Sequence, residues 1–380
     1  MALLKKELLD ILICPVCGSG LQLQVLSEAR KDGILRCKNE HSYPVINGLP
    51  KILVEGLEGD YSDFVRRYNI AFQASNIQLY SRSQERVESR QVQETYREKW
   101  TSKDIMGIGD SSPFKQFIRE WGLRRYGWSN EDVLSSQIRH RRLILDAGAG
   151  LGRETIRLAQ AAPESTVVGL EFSDCAENAL KNIASVGNAH MVQGDIMRMP
   201  FNDELFDFIL SDGVLHHTPN TREALAKCCR VLKKGGEIAF YIYRKKGPLR
   251  EFADDYLRQV MQRLSTDEKW LIARKLTALG KALAETRAIV KIPEDIPELG
   301  IKKGEINVQR FVYWNFLKCF WNDTLPLDEN VIINFDWYAP VHGHRHTEEE
   351  IRRWCRENSL EIIWFYAEES GYTIRAIKKT

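Results

Sequence analysis

The chain has 380 residues, a formal net charge of +2, 28% charged residues and 43% hydrophobic ones. That length buries a large core and suits one main domain with accessories. The balanced charge lacks the basic excess of a dedicated nucleic-acid binder, and no run of about 18 apolar residues marks a transmembrane helix.

The first segment, "MALLKKELLDILICPVC", is basic and partly apolar, but Glu7 and Asp10 interrupt it and no small-residue cleavage site follows. A signal peptide is therefore not expected, and the reading is a cytoplasmic protein without membrane partners. Of eight cysteines, only Cys14, Cys17 and Cys37 cluster. The scattered remainder suits free thiols in a reducing compartment. Cys14 and Cys17 form a CxxC knuckle; Cys37 and His41 form a CxxxH pair further on. Three thiolates and an imidazole on two turns can surround one zinc ion tetrahedrally, which leaves no open position and makes the metal structural. Between the pairs, "LQLQVL" and "GILRC" alternate like two strands of a hairpin. A module this small needs such a staple, so residues 1–58 are read as a zinc ribbon. It resembles the ribbons attached to some methyltransferases, the rRNA guanine-N1 enzymes among them, and "HSYPVINGLPKIL" is similar to the short ribbon proteins that act as methyltransferase activator subunits.

Residues 59–140 read as a helical connecting region. "YSDFVRRYNIAFQASNIQLYSRSQERV" and "SRQVQETYREKW" carry apolar residues at three- and four-residue spacing, and "SPFKQFIREWGLRRYG" starts another helix. The stretch Tyr96 to Trp100 either packs as linker or, as the resemblance to methyltransferases with an N-terminal helical lid implies, closes over a cofactor.

The strongest signal lies in residues 141–245. "LILDAG" is a buried strand, Gly148, Gly150 and Gly152 make a tight turn, and "RETIRLAQ" continues as a helix. A second strand ends in Glu171, placed to accept both hydroxyls of a ribose. A third ends in Asp195 and Ile196, suited to an adenine amino group and ring face. Asp146 stands two residues before the first glycine. An acid there suits the ammonium of a sulfonium cofactor better than a pyrophosphate. "FDFILSDGVLHHTPNTREALAKCCRVLKKGGEIAFYIY" follows as strand, loop, helix, glycine turn and strand, with Asp212 closing the candidate cofactor set.

With these motifs, residues 141–245 resemble the class I S-adenosylmethionine-dependent methyltransferases, in the subgroup acting mostly on small molecules. The resemblance implies a Rossmann-like α/β fold with a seven-stranded sheet, its last strand antiparallel. It also implies Glu171 at the ribose, Asp195 and Ile196 at the adenine, and Asp146 with the glycine turn near the methionine part. His216 and His217 in "GVLHHTP" lie beyond the fourth strand, where the crevice of such a sheet opens, and are the candidate general bases. No Asn-Pro-Pro-Tyr segment supports methylation of a base or glutamine amino group.

Residues 246–335 read as a helical insertion for substrate recognition, its aromatics mostly core. Residues 336–380 supply a closing helix, capped by Thr347 and Glu350, and a β-hairpin. "HGHRH" places His342, His344 and His346 on one side of an extended segment. With Tyr338 they are candidate substrate contacts. Alternate residues on one strand make poor metal ligands, and no carboxylate motif accompanies them. The expected function is methyl transfer to a small polar metabolite or glycan precursor. The alternatives are an rRNA or tRNA methyltransferase docking through the ribbon, and a catalytically idle partner that only binds the cofactor. Residues 1–60 hold seven Lys/Arg against eight Asp/Glu, which argues against RNA docking.

Overall fold

The computed structural model describes residues 3–54, 61–70, 91–92, 94–95 and 113–380. The candidate lid at 96–100 and most of the connecting region lie outside the described residues. The short helix α1 (Lys6–Leu9) leads into four strands, β1 (Leu21–Ser27), β2 (Asp32–Cys37), β3 (Ser42–Ile46) and β4 (Leu49–Ile52). The two alternating runs pair antiparallel, Leu21 opposite Cys37. Helices α2 (Ser62–Tyr68), α3 (Pro113–Arg125) and α4 (Glu131–Ile138) precede the main sheet.

That sheet alternates strand and helix: β5 (Leu143–Ala147), α5 (Arg153–Ala161), β6 (Thr166–Glu171), α6 (Ala176–Asn182), β7 (Ala189–Gly194), β8 (Phe206–Asp212), α7 (Thr221–Val231) and β9 (Leu232–Tyr243). β5 to β8 and the Ile238–Ile242 part of β9 are mostly buried and largely apolar, as parallel strands covered on both faces must be. The insertion contains α8 (Pro248–Met261), α9 (Thr266–Glu285), a hairpin of β10 (Ile289–Ile292) and β11 (Gly304–Asn307), α10 (Val308–Asn315) and α11 (Leu327–Tyr338). The chain closes with α12 (Glu348–Glu357), β12 (Leu360–Ala367) and β13 (Gly371–Lys378).

The expected seven-stranded sheet is in fact eleven-stranded, in the order β1-β2-β3-β4-β7-β6-β5-β8-β9-β13-β12. Its β7-to-β12 part holds seven strands, with β13 antiparallel to β9. The four extra strands come from the N-terminal module. β4 pairs parallel with β7, Lys51 opposite Gln193 and Ile52 opposite Gly194, so the module covers an edge that would otherwise expose unpaired backbone groups. Burial joins the two parts as well. Leu12, Leu35, Val45 and Ile52 share one apolar cluster with Val192, Ile196, Phe201 and Leu225. The insertion has its own smaller core around Met261, Ala273, Val331, Phe335 and Tyr338. α11 runs through position 335, so no break separates insertion from closing segment there.

Candidate active site and metal centre

A cleft of about 340 Å³ opens at the carboxyl ends of β5, β6, β7 and β8, and Gly148, Glu171, Asp195 and Asp212 line it. Gly148 has φ +94, and a Cβ there would run into Val214 of the loop after β8. Glycine thus lets two strand-end loops close together over the cleft. The carboxylate of Glu171 accepts from the backbone N–H of Gly150 at 2.9 Å and from N–H and hydroxyl of Ser173 at 2.8 and 2.6 Å. It is fixed before any ligand arrives. Asp195 accepts from the Met197 N–H at 2.9 Å, and burial raises its pKa. Ile196 beside it is buried and lines the cleft.

Two members of the expected cofactor set stand back from this wall. Asp146 is buried beneath the turn, where its carboxylate accepts from the Thr155 hydroxyl at 2.6 Å. Burial pushes its pKa up to about 7 despite that bond. Asp146 therefore braces the turn from below and does not line the cleft. Gly152, φ +82, is the N-cap of α5 and packs against Ile183 and Ala179.

The paired histidines divide. His217 lines the cleft, and its Nδ1 lies 2.9 Å from the carbonyl oxygen of His342. A carbonyl only accepts, so Nδ1 carries the proton, and in the neutral ring Nε2 keeps the lone pair. His216 is fully buried and stacked on Tyr243 with ring centroids 3.7 Å apart. Neither of its nitrogens has a hydrogen-bond partner among the described residues. Burial, then the neighbouring His217, depress its pKa well below the usual histidine value. Of the pair expected as bases, it does not line the cleft.

The "HGHRH" rings do share one side, 5.8 and 6.2 Å apart in sequence order. That side meets the loop after β8 more than it meets the cleft. His344 Nε2 donates to the Thr218 carbonyl at 3.1 Å, and His346 Nε2 lies 2.9 Å from the Thr221 hydroxyl. The backbone N–H of His344 donates to the His216 carbonyl at 2.9 Å, and that of His346 to the Tyr243 carbonyl at 3.0 Å. Only His342 of the three lines the cleft. Tyr338 is fully buried in the insertion, where its hydroxyl donates to Asp254 at 2.7 Å, and it does not line the cleft. Trp121, Arg125, Tyr241 and Tyr243 line the cleft and were missed. The alternation of the two tyrosines at the end of β9 was a usable signal; a single arginine in a helix gave none.

In the N-terminal module, the donor atoms of Cys14, Cys17, Cys37 and His41 all lie within 4.8 Å of one another. This is the one such group among the described residues. His41 Nδ1 is 3.4 Å from Cys14 Sγ and 3.3 Å from Cys37 Sγ, and Cys17 Sγ is 3.6 Å from Cys37 Sγ. These approach the edges of a tetrahedron with ~2.3 Å metal–sulfur bonds. The donor set is compatible with zinc.

A wider groove of about 740 Å³ lies at the opposite end of the sheet, with Arg230 and Lys378 on its wall. Lys378 is spent on the Cys229 and Leu232 carbonyls and Arg230 on Asp203, so these cations are structural.

Residues 145–240 match the sequence pattern of the family described as methyltransferase domain. The chain is 36% identical over 114 residues to demethylmenaquinone methyltransferase of Staphylococcus carnosus, covering 29% of this chain and 46% of that protein. The Staphylococcus aureus (strain JH9) enzyme of the same name is 34% identical over 113 residues, 29% and 47% of the two chains. The chain thus spans about half the length of these relatives. Among solved structures, magnesium protoporphyrin IX methyltransferase from Synechocystis with bound SAH aligns with TM-score 0.42 and 14% identity, covering 78% of this chain and 100% of that one. A complex of the Haloferax volcanii Trm112 methyltransferase activator with a methyltransferase aligns with TM-score 0.36 and 12% identity, covering 70% and 96%. By the sequence match, residues 145–240 are similar to a methyltransferase domain.

Proposed function

We propose that the protein transfers a methyl group from S-adenosylmethionine to a small-molecule acceptor, with His217 as the base. The observation that carries this is the strand-end cleft itself, where Glu171 and Asp195 stand on adjacent strands beside the Gly148 turn. Glu171 would take the ribose hydroxyls, Asp195 the adenine amino group and Ile196 the ring face. The bound cofactor supplies an electrophilic methyl on a cationic sulfur. Nε2 of His217 takes the proton the acceptor gives up, while Nδ1–H stays on the His342 carbonyl and holds the ring in place. Tyr243, Pro219 and Asp336 line the same cleft. This mix of an aromatic face and polar groups suits a small ring-bearing acceptor with a hydroxyl or acidic carbon, and the quinone named for the staphylococcal relatives is one such class. In the N-terminal module, one structural zinc would sit among Cys14, Cys17, Cys37 and His41.

Calorimetry with SAH and a transfer assay with labelled cofactor and a small-molecule extract test the reading together. Glu171→Gln should weaken SAH by roughly 1.5–3 kcal/mol, the range for a charge-assisted hydrogen bond. His217→Ala should leave SAH binding intact and slow transfer on the order of 10²–10⁴-fold. Unchanged SAH affinity in the first variant, or unchanged transfer in the second, refutes the corresponding role.

A further inference from the structure

Tyr43 sits on β3 in a run of three buried residues, Tyr43, Pro44 and Val45. It shares an apolar cluster with Leu12, Leu35 and Val45 and is 5% exposed. A phenylalanine would fill the same space without bringing a hydroxyl into it. That hydroxyl lies 3.1 Å from the Sγ of Cys14, itself fully buried, and has no other hydrogen-bond partner among the described residues. A neutral thiol is a weak donor and a weak acceptor. Paired with a thiol alone, a buried hydroxyl is close to unsatisfied, which is unfavourable. Paired with a thiolate, it donates a charge-assisted hydrogen bond, which the apolar surroundings strengthen. The hydroxyl therefore suits Cys14 in its metal-bound form.

The charge of such a centre calls for donors of this kind. Three thiolates and a neutral imidazole around a divalent ion leave one negative charge in excess, here against an apolar core. Hydrogen bonds to the ligand sulfurs offset that charge and hold the ligands in place. Ser19 repeats the arrangement at the rim. The knuckle turn brings it back, its carbonyl accepting from the Cys14 N–H at 2.8 Å. Its hydroxyl lies 3.1 Å from the Sγ of the partly exposed Cys17. The Sγ of Cys37 has His41 Nδ1 and Cys17 Sγ as neighbours, at 3.3 and 3.6 Å. We propose that the hydroxyls of Tyr43 and Ser19 donate to the metal-bound thiolates of Cys14 and Cys17, with Tyr43 the positioning residue that secures the ion on its buried side. The inference rests on the zinc reading of the four donors.

Zinc competition against a chromogenic chelator, on the full chain, compares wild type with Tyr43→Phe and Ser19→Ala. Tyr43→Phe should weaken zinc binding roughly ten- to hundred-fold, the range for losing a hydrogen bond to a metal ligand. Ser19→Ala should weaken it less, because water replaces a hydroxyl at the exposed rim. In the cobalt-substituted protein, Tyr43→Phe should move the thiolate-to-cobalt charge-transfer band to longer wavelength, since a thiolate without its donor releases electron density more readily. Melting separates this role from packing. Without the ion, the Cys14 thiol leaves the hydroxyl poorly satisfied, so metal-free Tyr43→Phe should melt no lower than metal-free wild type. The zinc-loaded variant should melt below zinc-loaded wild type. Unchanged zinc affinity with an unmoved cobalt band overturns the donor role. Equal lowering of the metal-free and loaded melting temperatures also overturns it, because packing alone then accounts for Tyr43. A wild type that binds neither zinc nor cobalt overturns the zinc reading itself.

Discussion

His216 and His217 are adjacent in sequence and opposite in environment. The ring of one is sealed under Tyr243 with no hydrogen-bond partner among the described residues; that of the other is tied to a carbonyl on the cleft wall. No single-sequence signal separates them, because the division is made by the Tyr243 ring and the His342 carbonyl, both far away along the chain. Three of the histidines around this loop are held neutral. Burial depresses His216 and His344 and pushes His346 down to about 4, even though Glu350 pulls the other way. The folded-state pKa values lie below the ordinary value of about 6.5. Between pH 4 and 6.5 the unfolded chain therefore binds more protons, and stability is lost as pH falls through that window. Thermal denaturation should show a falling midpoint from pH 7 to 4.5, and His346→Gln should flatten that slope. A wild-type midpoint that is constant over the window would contradict this account.

At the scale of elements, the N-terminal module is more than an appendage. β4 ends against Gly194, next to Asp195, and Lys51 pairs with Glu177 at 2.6 Å. The backbone N–H of Ile13, one residue before the first metal-donor cysteine, donates to the Pro200 carbonyl at 3.0 Å. The clustering of the CxxC and CxxxH pairs was legible in the sequence because their spacing is local and matches that of metal-binding knuckles. The sheet extension was not, since strand pairing is non-local and β4 carries only four residues, Leu49–Ile52. Elemental analysis should find close to one zinc per chain, and Cys37→Ser should lose it. If the module props the Asp195 end of the cleft, the metal-free protein should melt at lower temperature and bind SAH more weakly. A metal-free wild type with unchanged melting and SAH affinity would show that the module is independent of the site.

Across the whole molecule, what the sequence made legible was the alternating strand–helix part whose strand ends line the cleft. Strand, glycine turn and helix repeat there with short connections, and Glu171, Asp195 and Asp212 fall at strand ends, as periodicity alone places them. The other side of the cleft depends on elements brought together from distant positions, and of the expected substrate contacts only His342 lines it, while Tyr338, His344 and His346 do not. The "HGHRH" strap is bound on both sides. On one it grips the loop after β8 through His344 and His346. On the other, Arg345 reaches Glu251 at 2.9 Å as well as Asp255, both on α8, while Arg258 of α8 donates to the Trp337 and Pro340 carbonyls. The strap thus links the insertion core to the residue that orients His217. Gly343 is where this link is tightest, because a Cβ there would strike the buried guanidinium of Arg258. Gly343→Ala should push Arg258 off its carbonyls and shift the strap, with His342 moving relative to His217. Losing hydrogen bonds from a buried charged group costs about 1.5–3 kcal/mol, so a lower melting temperature is expected. The glycine turn, Glu171 and Asp195 hang on other strands and should keep their geometry. SAH affinity by calorimetry should therefore match the wild type, while transfer to the acceptor falls. If SAH affinity falls in step with transfer, the strap serves general stability and does not position the base.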